Sequence, residues 1–312
     1  MEDKKVVMVI ATCNEEDLFN KCIDSIVKNT DYINYKIYVI DDSGKDYLSD
    51  KTKTKLKNIK NIHLHINEKN EGLPYTFNWG MERAFKVDKA DYCALLNDDL
   101  VFKDKYWLWK LTKILKFDNT VGAVHPKMVN PDGSLQYFYK NKKTQFAQYK
   151  NNIEETEETN YVVEQDMLVG TCLLFKKEVY DEIGGWDLGF SPIYGEDSDW
   201  SLRVNKKGFK QLYVGNVKVI HYGGGSSDIL FKDFNDKKWY LQKAHGIRVE
   251  WLNFSLFKII KHTIIHLGSA IFSRHLFKKL KLLFKAYREN INNIKEIREK
   301  RKERNSWRKI NE

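Results

Sequence analysis

The first hundred residues alternate between short apolar runs and segments with helical periodicity, and the apolar runs end in polar clusters. "KVVMVIATC" reads as a strand and "EEDLFNKCIDSIVKNT" as an amphipathic helix, with Leu18, Cys22, Ile23 and Ile26 at helical spacing. "KIYVIDDSG" and "NIHLHINEKNEG" are strands running into loops, "PYTFNWGMERAF" is a helix and "DYCALLNDDLVF" a further strand. Strands separated by helices predict an α/β fold with a mainly parallel central sheet flanked by helices. Ligands of such sheets bind beyond the carboxyl ends of the strands. The polar clusters at 12–16, 41–44, 67–72 and 97–99 fall at those ends, so four clusters predict one site.

The second half is less regular. "TVGAVHPKMVN" reads as a strand, "PDGS" as a turn, and the polar residues 139–160 as a loop. "VEQDMLVGTCLLFKKEVYDEIGGWD" predicts strand, helix and loop; "GEDSDWSLRVNKKGF" opens acidic and becomes helical; "QLYVGNVKVIHYGGGSS" is a strand with a glycine-rich end. From Phe234 onward apolar residues interleave with lysine and arginine in a helical pattern, and "KEIREKRKERNSWRK" is expected to be solvated or disordered. Charge divides the chain in the same place. Residues 232–312 carry 21 Lys+Arg against 8 Asp+Glu, whereas residues 1–231 carry 32 against 35. The expected organisation is therefore an α/β domain over 1–231 and a basic amphipathic helical extension over 232–312.

Localisation is read from what the chain carries. The apolar run from Val6 to Ala11 is too short for a secretory core, and no stretch of about 18 apolar residues occurs. Cys13, Cys22, Cys93 and Cys172 are scattered, which predicts reduced buried thiols and a cytoplasmic setting. The extension has two readings. It lies peripherally on the inner face of a cell membrane, its cations on anionic lipid and its aromatic face in the interface; or it packs on the domain or pairs two copies as a homodimer. No nucleic-acid module is recognisable, so no nucleic-acid partner is expected.

Adjacent carboxylates at a strand end, as in Asn97-Asp98-Asp99, raise each other's pKa unless a cation neutralises them. Mn²⁺ or Mg²⁺ with oxygen ligands does so and can also bridge a diphosphate; the alternative is a turn with solvated carboxylates. His221, between a strand and three glycines, is a candidate Mn²⁺ ligand, whereas His63, His65 and His125 read as ordinary residues. Thr12 and Asn14 could equally cap a helix, as could the acidic start of "GEDSDW".

The ordered series "VIATCNEEDLFNKCIDSI", "IYVIDDSG", "NEGLPYTFNWG", "LLNDDLVF", "GGWDLGF", "GEDSDWSLR" and "HYGGGSS" resembles the family 2 glycosyltransferases of the GT-A fold, over about residues 5–225. Within them it looks most like the rhamnosyltransferase-like branch that builds surface polysaccharides. The resemblance implies an inverting, metal-dependent transfer of sugar from a nucleotide-diphospho-sugar to a glycan or lipid-linked saccharide. It implies Asp99 and His221 as metal ligands, with Asn97 in place of the commoner Asp. It further implies Asp197 as catalytic base and Glu196 beside it, catalytic and acceptor-placing. Thr12, Asn14, Glu15, Asp41, Asp42, Asn70, Gly72, Asn78, Asn97 and Asp98 would hold the nucleotide-sugar, with Asp42 on the base and Asp41 assisting. Trp186 would offer the acceptor an aromatic face, and Asp199 and Arg203 would be structural. A nucleotidyltransferase would want a basic glycine-rich loop where "ATCNEED" stands. A non-catalytic sugar-binding protein would lack a base or metal residue. A nicotinamide dehydrogenase would show GxGxxG after the first strand.

Overall fold

The structure, a computed structural model, describes residues 4–136, 157–223, 235–273 and 275–307. Most of the polar stretch 139–160, and the glycine-rich run beyond Gly223, lie outside them. The first half follows the predicted alternation: β1 (Val6–Thr12), α1 (Glu16–Lys28), β2 (Tyr35–Asp41), α2 (Asp50–Lys57), β3 (Ile62–Ile66), α3 (Leu73–Glu82) and β4 (Tyr92–Asn97). In the parallel pairing Thr12 lies opposite Asp41 and Ala11 opposite Asn97, so three strands deliver their polar ends to one edge.

Continuous apolar strands such as "VVMVI" arise because both faces of β1 are covered. Val6, Met8 and Ile10 pack with Phe19, Ile23 and Ile26 of α1 and with Trp107 and Leu111 of α4 (Trp107–Phe117). Val7 and Val9 point the other way, to Phe77 and Met81 of α3 and to Trp200 of α6 (Glu196–Lys206). Phe19, not Leu18, leads the buried stripe of α1.

Parallel order does not run through the whole sheet. The remaining strands are β5 (Leu100–Phe102), β6 (Val121–Val129), β7 (Val162–Gln165), β8 (Cys172–Lys176) and β9 (Lys210–His221), with α5 (Lys177–Ile183) after β8. The strand order is β3-β2-β1-β4-β8-β6-β9-β5, with β7 on β9. β8 is antiparallel to β4 and β6, and β9 is antiparallel to β5 and β7. The sheet is therefore mixed: parallel pairing needs a crossover, which the first half supplies repeatedly and the second half supplies only between β6 and β9.

Among the described residues the extension has four helices: α7 (Asn235–Asn253), α8 (Leu256–Ile271), α9 (Leu276–Asn292) and α10 (Ile294–Asn305). The charged run expected to be solvated forms α10, with Ile297 and Arg304 buried. Among the described residues no helix is long and apolar enough to cross a membrane.

Candidate active site

The β5–β9 ladder sets Leu100 opposite His221, which brings Asp99 against the imidazole. Asp99 is buried, its Oδ2 accepts from the Gly223 amide at 3.0 Å, and its Oδ1 lies 3.2 Å from His221 Nε2 without a hydrogen bond. Gln136 Oε1 can only accept, so His221 donates to it through Nδ1–H and turns the lone pair of Nε2 toward Asp99. A buried carboxylate oxygen facing an acceptor nitrogen is an arrangement that a cation between them would satisfy. One carboxylate and one imidazole suit Mn²⁺, and Mg²⁺ less closely. Sequence reasoning missed Gln136: nothing in "SLQYF" distinguishes it from a surface glutamine.

The two adjacent carboxylates diverge. Asp98 turns to β1, where Thr12 Oγ1 donates to its Oδ2 at 2.7 Å and also meets the Tyr47 hydroxyl. Burial, and then the neighbouring Asp99, push the Asp98 carboxyl up to about 7. Asn97 ends β4, its amide N–H bonded to Thr171 O at 3.0 Å.

At the end of β2 the two aspartates are held differently. Asp42 accepts from Asn67 Nδ2 at 2.7 Å and from the amides of Glu71 and Gly72 at 2.9 and 3.0 Å. Its carboxylate thus helps fold the 67–72 loop. Asp41 accepts from the Ser43 amide through Oδ1, while its buried Oδ2 has no hydrogen bond. Asn70 donates to Asp42 O at 2.7 Å and serves the same loop. Gly72 has φ 87°, and a Cβ there would stand 2.9 Å from Pro192 Cα, so only glycine lets this loop close on residues 191–192. Asn14 is exposed with φ 67°, and Glu15 begins α1 without a side-chain cap bond.

Residues 170–171 link the two halves of the site. Thr171 pairs with Asn97, and the Gly170 amide donates to Asp197 Oδ2 at 3.1 Å. Asp197 Oδ1 accepts from the Ser198 amide at 2.6 Å. The carboxylate thus stands in the first turn of α6, next to the strand end that carries the Asn97-Asp98-Asp99 run. Tyr194 (φ 82°) and Gly195 (φ 88°) lead into that helix, and a non-glycine residue in this region stores backbone strain. Burial raises the Asp197 carboxyl above the ordinary range. It raises Glu196 much further, with the charge of Asp197 adding to the effect.

Asp199 and Arg203 behave as expected, and are joined by partners the sequence did not suggest. Asp199 is fully buried and binds Arg203 Nε at 2.9 Å, Arg304 Nη1 at 2.6 Å and Asn253 Nδ2 at 2.8 Å. Arg203 also donates to Ile183 O and Gly185 O. Asp187 binds Arg248 at 3.1 Å and Lys300 at 2.6 Å. Burial alone would raise the Asp187 carboxyl, but Arg248 and Lys300 outweigh it and hold it at about 2. Through these pairs α7 and α10 clamp the acidic motif.

Two expected site residues are otherwise employed. Trp186 is 3% exposed and packs edge-to-face on Phe77, centroids 5.0 Å apart, so it does not present the acceptor platform expected of it. Asn78 bonds the Trp186 backbone from both ends of its amide, at 2.7 and 2.8 Å, and pins α3 to the 185–186 segment instead of holding nucleotide. Lys127 is also buried, on Thr159 and Asn160.

Comparison with known proteins agrees with this architecture. The family model described as Glycosyl transferase family 2 matches residues 7–184, more than half of the chain, and the chain belongs to that family. The O-antigen biosynthesis protein RfbC of Myxococcus xanthus is 20% identical over 244 residues, covering 71% of this chain and 18% of that protein. The glucosyl-dolichyl phosphate glucuronosyltransferase of Haloferax volcanii is 23% identical over 233 residues, 70% of this chain and 69% of its own length. The chain spans 18%, 25% and 30% of the first curated relatives it matches. Among solved structures, GalNAc-T7 with UDP, GalNAc and Mn²⁺ superposes with a TM-score of 0.64 at 17% identity, covering 92% of this chain and 55% of the other. That likeness shows a GT-A fold.

Proposed function

We propose that the chain transfers a sugar, with inversion, from a nucleotide-diphospho-sugar to a glycan or lipid-linked saccharide in surface polysaccharide or glycolipid synthesis. The observation that carries this is the Asp99–His221 pair, bridged through residues 97 and 170–171 to Asp197. Asp99 Oδ1 and His221 Nε2 would hold Mn²⁺ or Mg²⁺, which when bound neutralises the departing diphosphate. Among the described residues no third His, Cys, Asp or Glu completes a cluster, which leaves coordination positions to donor oxygens and water. Asp41, through its unbonded Oδ2, takes over the nucleoside role from Asp42, with Thr12, Asn14, Glu15, Asn97 and Asp98 around it. Asp197 accepts the proton of the acceptor hydroxyl, and Glu196 beside it places the acceptor. The domain division at 231/232, the rhamnosyltransferase-like branch and a cytoplasmic position at the inner membrane face belong to the same reading.

The test is nucleotide release from a panel of nucleotide-sugars with a glycan acceptor. Chelation by EDTA is expected to abolish release and added Mn²⁺ to restore it; full release in EDTA would remove the metal from the proposal. Gln136→Leu is expected to weaken Mn²⁺ binding about 10–100-fold, because a ligand histidine depends on the group that orients its ring. Titration of free Mn²⁺ by its paramagnetic resonance signal reads that loss directly.

A further inference from the structure

Residues 256–288 contain eight lysines and arginines and no acidic residue. They form most of the α8–α9 hairpin, which is packed differently from its flanking helices. Where α7 and α10 lock onto the acidic motif, α8 and α9 contribute Leu267, Ala270, Leu280, Leu283 and Ala286 to a small cluster with Ala244 and Ile247 of α7. Apolar stripes elsewhere on both helices are exposed. Phe257, Ile260, Ile264 and Ile271 repeat along one stripe of α8, and Phe277, Phe284 and Ile291 repeat every seventh residue along α9. All seven are exposed, Phe277 at 85%, and Phe272 between the helices is 91% exposed.

We propose that this hairpin is an interfacial membrane-docking element that lies in the headgroup plane of an anionic bilayer. The combination of features selects that partner. A helix that lies on a membrane carries an apolar stripe flanked by cations that anionic headgroups attract. Lys258, Lys261, Lys281 and Lys285 are exposed on the two helices beside the stripes. A second copy of the chain is disfavoured, because a two-fold contact would set the same lysine-rich surface against itself. Nucleic acid would leave the isoleucine and phenylalanine stripes uncovered. The proposal narrows the membrane reading of the extension to one hairpin and rests on it. Because α7 and α10 of the extension clamp the acidic motif of the catalytic domain, removal of the whole extension is not a clean test.

The full-length chain is sedimented with vesicles of phosphatidylcholine alone and of phosphatidylcholine with phosphatidylglycerol. Co-sedimentation is expected only with the anionic vesicles, and it is expected to weaken in high salt. The triple variant Phe257→Ser, Phe277→Ser, Phe284→Ser is expected to bind at least about tenfold more weakly, since each buried apolar group adds to interfacial affinity. These side chains are exposed, so its unfolding midpoint and its transfer to a water-soluble acceptor should match the parent chain. Transfer measured alongside separates the two proposals, since vesicle binding can fail while transfer persists, and the reverse. No pelleting on anionic vesicles, equal pelleting on neutral ones, or undiminished pelleting of the triple variant would each overturn the assignment. So would a dimer, seen by light scattering, that the same substitutions dissociate.

Discussion

Asp197→Asn is expected to lose about 10²–10⁴-fold in transfer rate while still binding the nucleotide-sugar, because it removes the proton acceptor and leaves the shape of the site. The carboxylate is held by the Gly170 and Ser198 amides, which an asparagine oxygen can still accept from in part. The parent enzyme should show the sign of the carboxyl's environment in its pH profile. Burial raises Asp197, and a base works only when ionised. Activity should therefore rise with pH through a midpoint above the 3.8 of an ordinary aspartate and fall away below it. Burial raises Glu196 as well, with the charge of Asp197 adding to the effect. Isothermal titration with the donor and single-turnover kinetics separate binding from chemistry. Ordinary turnover in the variant would remove Asp197 as base.

Arg304→Met is expected to destabilise the protein by less than the roughly 3–5 kcal/mol of a buried ion stripped of its partner, because Arg203 and Asn253 still hold Asp199. The arginine contacts Asp199 with both terminal nitrogens, at 2.6 and 3.1 Å, from a helix more than a hundred residues away in sequence. Arg304→Lys keeps the charge but loses the forked geometry and should fall between the two. The same network makes an acid-side prediction. Despite burial, which acts the other way, Asp199 is lowered by Arg203 and Arg304, and Asp187 is held at about 2 by Arg248 and Lys300. Carboxyls depressed in the folded state stabilise it above the unfolded pKa of 3.8. That contribution is lost as pH falls from about 4 toward 2. Urea unfolding of Arg304→Met across this range should show a flatter loss than the parent chain. Identical midpoints for parent and variant would mean that α10 contributes nothing to the acidic motif.

The clamp also explains a choice that composition leaves open. A segment rich in lysine and arginine reads as a solvated face, and most of α10 is one. Arg304 and Ile297 are the exceptions, spaced seven residues apart so that both face the core. Charge counts average over such exceptions, whereas burial selects them.

Periodicity and local chemistry made much of this protein legible without coordinates. Short continuous apolar runs between period-3.6 helices define an α/β sheet, because strands apolar on both faces need helices on both sides. The Asp99–His221 pairing was legible only through the family resemblance of the ordered motifs, and the β5–β9 ladder supplies the contact itself. What the chain order could not reveal is how chemically identical groups divide their work. Asp41 and Asp42 differ only in which way each side chain leaves the strand, and three donors from the 67–72 loop decide it. Trp186 and Asn78 carry groups suited to a sugar, yet packing consumes them. Gln136 acquires its place beside His221 solely from tertiary contact. Hydrogen-bond capacity is finite, and only the folded arrangement determines which polar atoms have spent it on the scaffold and which remain to meet a ligand.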